Sequence, residues 1–366
     1  MKKENEDMIV ELKDEKNDDY SDDSLFNISS WGADLTFREL IAMYEEDELV
    51  KPELQRKYVW DKQEASRFIE SLLLGLPVPS IFLAQAGSQK LIVDGYQRIM
   101  TVYDYVRGIF TTDQKLFKLS NSEKINKRWR NKAFAELSID DQRQIRSYTI
   151  HAIIFEQKHP ANDSSLYQIF ERINTSGRSL NAQEIRNCVY QGTFNSLLVK
   201  LNEYPAWREL FGAKQADNRM RDIEFILRFF VMKSDVVQAS TSKQISLKKE
   251  LNDFMGKYKD APENTLEEFK SDFIKTIDSV YESLGKNAFR NYTTKYAKKF
   301  HPAIFDAIMV AYFKRLKSGE NISNANEDKH LALVTNSSFK DATTRRTTDI
   351  ENIMGRIDLA AQILFD

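Results

Sequence analysis

Asp94-Gly95-Tyr96-Gln97-Arg98 places a carboxylate, a glycine, an amide and a guanidinium within one short stretch of chain. The apolar run Leu91-Ile92-Val93 before it has strand character and stops at Asp94-Gly95, a turn signal. From Gln97 onward, Ile99, Val102, Tyr103 and Val106 recur at helical spacing, and Gly108 is a C-terminal stop. A strand therefore feeds a tight turn, and the turn opens a helix with Arg98 in its first residues. Backbone N–H groups at a helix N-terminus, with a guanidinium beside them, make an anion or phosphate site. The plainer reading is that Asp94 caps the helix, Gly95 turns the chain and Arg98 pairs with a surface carboxylate. Local pattern leaves both readings open.

The elements that would position this stretch belong to a chain of 366 residues, 42% hydrophobic and 30% charged, long enough for two domains. A single cysteine, Cys188, excludes an intrachain disulfide framework and fits a reducing cytoplasm. Four histidines are scattered without the pairing that a zinc site needs, so no metal ligands are assigned. Residues 1–23 hold 10 acidic and 4 basic side chains, leaving 49 basic and 45 acidic for the remainder. That acidic stretch, poor in aromatics, is expected to be a disordered tail. The N-terminus lacks the pattern of a signal peptide. The longest uncharged run, Ser71 to Gln89, is broken by Gly75, Pro77 and Pro79, so no membrane association is expected.

In chain order, Thr36 with Glu39, and Asp61 with Glu64, have the spacing of capping boxes opening two helices. Val78 to Ala84 and Ser147 to Phe155 read as strands, with His151 as a satisfied core histidine. Lys124, Lys127, Arg128, Arg130 and Lys132 form a basic run around Trp129. It reads either as a solvated loop or as a track for a nucleic-acid backbone with an aromatic platform. Asn181 and Glu184 cap a further helix. From Leu210, glycine and proline thin out and amphipathic helices dominate: Asp222 to Lys233, Ser246 to Tyr258, Thr265 to Leu284, Tyr296 to Leu316 and Asp349 to Phe365. Thr265 and Glu268 are the expected cap of the third. Gly319–Asp341 reads as an exposed loop, with Leu331–Val334 ordered in it. The fold class is α+β, with an all-helical C-terminal half.

Three separated pieces, Gln55-Arg-Lys-Tyr-Val-Trp60, Asp94-Gly-Tyr-Gln-Arg98 and Phe170-Glu-Arg-Ile-Asn-Thr-Ser-Gly177, with Leu180-Asn-Ala-Gln-Glu-Ile-Arg186 after them, can be read together. In this order and spacing they resemble the N-terminal domain of GmrSD-type restriction endonucleases, a ParB/sulfiredoxin-like fold. That family carries an Asp-Gly-Gln-Gln-Arg motif after a strand, an earlier Gln-Arg-x-x-x-Trp segment and a later Arg-Ile-Asn-x-x-Gly loop. The resemblance covers Leu35 to Phe230. It implies a ParB-like nucleotide-binding domain over residues 24–209, a helical domain over 210–366, and a role in defence against foreign DNA. Asp94, Gln97 and Arg98 would be catalytic, with Arg98 neutralising phosphate and Asp94 holding a cation or orienting water. Gln55, Arg56, Gly95, Tyr96, Arg172 and Asn174 would contact the nucleotide.

The expected ligand is a nucleoside triphosphate with Mg²⁺, and the expected activity is its hydrolysis. DNA and a partner nuclease or defence protein are the expected macromolecular partners, with Lys127, Arg128 and Arg130 as DNA contacts. The second reading is a ParB-like DNA-binding or specificity module without catalysis. Two departures from the family bear on this. Tyr96 replaces the first glutamine of the motif, leaving Gln97 alone to orient water. Many relatives continue into a histidine-containing nuclease domain, whereas the C-terminal half here has only His301 and His330. A stand-alone member without that domain is expected, with DNA cleavage left to another chain.

Overall fold

In the computed structural model, Thr36 and Glu39 close a reciprocal cap. The Thr36 hydroxyl accepts from the Glu39 amide at 3.2 Å, and the Glu39 carboxylate accepts from the Thr36 amide at 2.7 Å. Asp61 and Glu64 do the same, and so do Asn181 and Glu184. The structure describes residues 8–16, 28–50, 58, 60–157, 167–168, 170–171, 181–217, 219–293 and 299–366. Its first part runs α1 Lys13–Lys16, β1 Ile28–Thr36, α2 Phe37–Glu45, β2 Leu49–Val50, α3 Lys62–Leu73, β3 Ile81–Ala86 and β4 Gln89–Asp94. It continues with α4 Tyr96–Arg107, a hairpin of β5 Ile109–Phe110 and β6 Lys115–Leu116, α5 Ile139–Ser147 and β7 Thr149–Gln157. Beyond residue 181 the described elements are helices. The fold class is α+β.

Contacts divide the chain into one unit of Asp22–Leu180 with Asn187–Val189, and another of Met1–Ser21, Asn181–Arg186 and Tyr190–Asp366. The change of unit thus falls ahead of Leu210, where glycine and proline thin out. In the first unit, five strands form a mixed sheet in the order β1-β7-β3-β4-β2. β1 lies antiparallel to β7, β3 runs parallel to β7, and β3 and β4 form an antiparallel hairpin. Apolar faces pack on this sheet: Phe37 and Leu40 of α2, Phe68 and Ile69 of α3, Ile99 and Val102 of α4, and Ile145 of α5 are buried with Ile81, Leu83 and Ile92. His151 departs from its expected place. Its ring is exposed, and Nδ1 meets the Asp34 carboxylate at 2.8 Å across the β1–β7 ladder.

The helical unit is built on Trp207, Phe225, Phe229, Phe230, Phe273 and Phe305, whose rings touch in edge and tilted pairs. Among them lies a charged network. Asp306 accepts from Arg228 Nε at 2.6 Å and Nη2 at 2.7 Å, and from Arg356 Nη2 at 3.1 Å. Arg356 also donates to the Thr347 carbonyl at 2.7 Å. Residues 8–16 correct the expectation of a disordered tail over that stretch. Val10 N–H bonds the Phe300 carbonyl, Leu12 is buried, and Glu15 accepts two hydrogen bonds from Arg228 at 2.7 and 2.8 Å. Acidic composition signals disorder only where no buried cation awaits the carboxylate.

Two further differences are local. The long helix Glu263–Leu284 begins on Pro262, not on a Thr265 cap, because proline suits the end of a helix that lacks amide partners. The supposed loop Gly319–Asp341 contains helix Glu327–Thr335, followed by Ser337–Thr344. Asn326 caps the first, and the Asn336 side chain accepts from the Phe339 amide to open the second.

His301 and His330 are buried in this unit. Burial, the main cause in each, holds both imidazoles down at about 4 against an ordinary 6.5. A ring neutral when folded and protonated when unfolded supplies its full stabilisation above pH 6.5. That stabilisation is lost progressively as pH falls from 6.5 to about 4. At pH 5 each ring is expected to remove about 2 kcal/mol relative to pH 7. Urea unfolding at both pH values is the measurement. His330→Gln should show a pH dependence smaller by about that amount, and an unchanged dependence would rule the assignment out.

Candidate functional site

The turn between β4 and α4 is held by geometry that only glycine satisfies. Gly95 is the N-cap of α4 with φ 103° and ψ 2°. A Cβ on it would sit 2.3 Å from Cγ2 of Ile81, a buried residue of β3. The β3–β4 pairing slips by one residue here: Phe82 faces Asp94 while Leu83 faces Ile92. This bulge at Val93 re-aims the end of the strand and delivers Asp94 to the start of the helix.

Arg98 bends back onto this turn. Its Nη2 donates to Asp94 Oδ2 at 2.5 Å and to the Ser80 carbonyl at 3.1 Å. The Arg98 side chain is 15% exposed and that of Asp94 44%. Arg98 Nε is buried without a hydrogen-bond partner among the described residues. No side chain caps this end of α4, so its partial positive charge stands beside Arg98. The plainer reading holds in part. Arg98 does pair with a carboxylate, but it is Asp94 itself, and Asp94 does not cap the helix. What remains is a guanidinium in a fixed orientation with an unused donor, at an uncapped helix N-terminus, next to a half-exposed carboxylate.

Gln97 and Tyr96 go different ways. Gln97 Oε1 accepts from the Trp60 amide at 3.3 Å. One turn later, the Thr101 hydroxyl donates to the Gln97 carbonyl at 2.7 Å and pairs with the Tyr58 hydroxyl at 2.7 Å. The end of the Gln55–Trp60 segment is thereby fastened to α4 beside the Asp94–Arg98 turn. Tyr96, expected at the ligand, is 7% exposed and packs in the core with Ile99 and Met100. Burial pushes its phenol well above the ordinary range. Gln55, Arg56, Arg172 and Asn174 lie outside the described residues. The third motif is met only at its start, where Phe170 packs edge-on against Phe155 of β7 at 6.5 Å.

The basic run takes the solvated-loop form. Lys127 is exposed, but Arg128 is committed to Asp141 at 2.8 Å, and Arg130 donates to the Ile125 carbonyl at 2.9 and 3.2 Å. Trp129 is no stacking platform: it is 4% exposed, with Nε1 donating to Asp141. Among the described residues, no group of three His, Cys, Asp or Glu side chains converges as a metal site. Nor is any described helix long and apolar enough to cross a membrane. Ser80 and Ile81, which hold Arg98 and close on Gly95, escape sequence reasoning, since a backbone carbonyl carries no residue signature. Thr101 left one trace, a hydroxyl within a helical pattern.

Comparison with curated proteins and with solved structures finds no match. Comparison with family models finds one, described as GmrSD restriction endonuclease, N-terminal domain, over residues 37–191. The match begins just after β1 and takes in the other four strands of the sheet, the Gly95 turn and the Tyr58–Trp60 contact. It ends beside the residues at which the two units divide. Residues 37–191, less than half of the chain, match the model of the GmrSD restriction endonuclease N-terminal domain.

Proposed function

We propose that this chain is a nucleotide-binding and nucleotide-hydrolysing subunit of a prokaryotic DNA-restriction or antiphage system, with its triphosphate site at the β4–α4 turn. One observation carries the reading: Arg98, oriented by Asp94 and Ser80, keeps a buried unpartnered Nε beside the uncapped start of α4. Phosphoryl transfer is governed by positioning and charge neutralisation, and these groups supply both. Gly95 holds the left-handed backbone that sets the turn and the start of α4, where a phosphate would approach. Gln97, anchored through the Trp60 amide, lies at the edge of the turn.

An arriving phosphate meets the Asp94 carboxylate as well as Arg98, and that repulsion is relieved if Asp94 also holds a divalent cation. Mg²⁺ suits such a place, because it takes one or two carboxylates and completes its shell with phosphates and water. When bound, it would neutralise charge on the phosphates. Arg98 would keep its own role, as a fixed donor to a nonbridging oxygen. The Tyr96 side chain is buried in the core, and Gln97 is the amide of the motif that lies beside the turn.

Phosphate release from each of the four nucleoside triphosphates, with and without Mg²⁺, is the test. Arg98→Ala is expected to lower the rate about 100-fold or more, the scale of removing one fixed donor to a developing charge. A rate unchanged by that substitution would remove the site assignment.

A further inference from the structure

We infer that the helical unit carries a second phosphate-binding site, a cavity between helix Pro205–Phe211 and the turn Gly285–Asn287, suited to a polyphosphate chain. The cavity has a volume of about 360 Å³, within the range of small-ligand pockets, and is lined by Arg208, Glu209, Gly212, Lys214, Lys286 and Arg290.

The charges do not balance. Arg208 is neutralised by Asp222 at 2.7 Å. Arg290, 9% exposed, donates only to carbonyls: those of Leu210 at 2.9 Å, Lys286 at 2.6 Å and Phe211 at 3.0 Å. No carboxylate among the described residues pairs with it, and none pairs with Lys214 or Lys286. Three cations without a carboxylate partner among the described residues therefore face one carboxylate, Glu209, in a chain whose net charge is −2.

Part of this arrangement is structural. Helix Pro205–Phe211 ends on Gly212 in the left-handed region at φ 89°, and Arg290 satisfies its last carbonyls. Gly212 is needed for space as well as conformation, since a Cβ there would lie 2.3 Å from Arg290 Nη2. Helix capping explains one guanidinium. It does not explain why Lys214 and Lys286 line the same opening. A ligand carrying several negative charges would offset the cost of burying the Arg290 guanidinium and use its remaining donors.

The shared chemistry is a run of phosphates, free or attached to a nucleoside. Calorimetry on the full chain with tripolyphosphate and with ATP, at low salt, distinguishes the two sources. Lys214→Gln/Lys286→Gln should weaken tripolyphosphate binding about tenfold or more, since each lost charged hydrogen bond is worth about that much. Arg98→Ala should leave this binding intact, which separates it from the β4–α4 turn. If ATP binds here more tightly than tripolyphosphate, the nucleoside is part of the ligand and the site stands. Tripolyphosphate binding equal in the double lysine variant and the unaltered chain would overturn the assignment, and so would its loss in Arg98→Ala. Binding of a DNA duplex with no binding of tripolyphosphate would overturn it too. Both lysine side chains are exposed and make no ion pair among the described residues, so the variant does not depend on removing the helix-capping Arg290.

Discussion

Asp306→Asn is expected to destabilise the helical unit by about 3–5 kcal/mol, the cost of breaking a buried ion pair from one side. Asp306 and Arg356 are fully buried and Arg228 nearly so. Once the carboxylate is gone, Arg228 still has Glu15, but Arg356 keeps only the Thr347 carbonyl. Arg356 is already short of partners, because its Nε has none among the described residues. The stranded charge is therefore Arg356, and the loss should exceed that of Glu15→Gln, whose carboxylate is partly exposed and whose absence leaves Arg228 paired with Asp306. Urea unfolding of the three proteins under one set of conditions decides it. An Asp306→Asn chain within 1 kcal/mol of the parent would show that this network does not hold the helices as argued.

Gly95→Ala should cost about 2–5 kcal/mol and abolish nucleotide binding at the turn. Two penalties add: about 1–2 kcal/mol for a side chain at positive φ, and about 1–3 kcal/mol for forcing a methyl into a packed core. The second dominates the argument, because the added carbon meets Ile81 in the strand below. Gly108→Ala is the control. It has φ 83°, but its Cβ would find only Leu116 Cδ1 at 3.9 Å, so strain alone applies. A coupling of about 1 kcal/mol or more between Gly95→Ala and Ile81→Ala in a double-mutant cycle would locate the clash. Equal losses at Gly95 and Gly108 would refute it.

What could be read from the chain alone follows the reach of each interaction. The caps at Thr36, Asp61 and Asn181 were legible because both partners sit three residues apart and depend on nothing else. The strand–turn–helix around Gly95 was legible for the same reason. The family followed from three motifs in register. The sheet order was not legible, because β1 pairs with β7 and β3 with β7 through contacts that local pattern does not encode. Arg98 was singled out, but its partner Ser80 was not, since any residue supplies a carbonyl. Trp129 among arginines and lysines looks like a platform until Asp141 takes its N–H and buries it. Glu15 reads as one more charge in an acidic stretch until Arg228 is found opposite. In each case the missing information was a distant partner.

The Glu15–Arg228 contact also fixes an order of events. Residues 8–16 leave the ribosome before the sheet-bearing unit, Asp22–Leu180, which can fold while synthesis continues. Val10 must wait for Phe300, Asp14 for the Thr347 amide and Glu15 for Arg228. This earlier segment thus finds its place only after the later one is made, and it closes a loop that contains an already folded domain. Until then, Arg228 has only one of its two carboxylates, so assembly of the helical unit is completed by a segment made long before it.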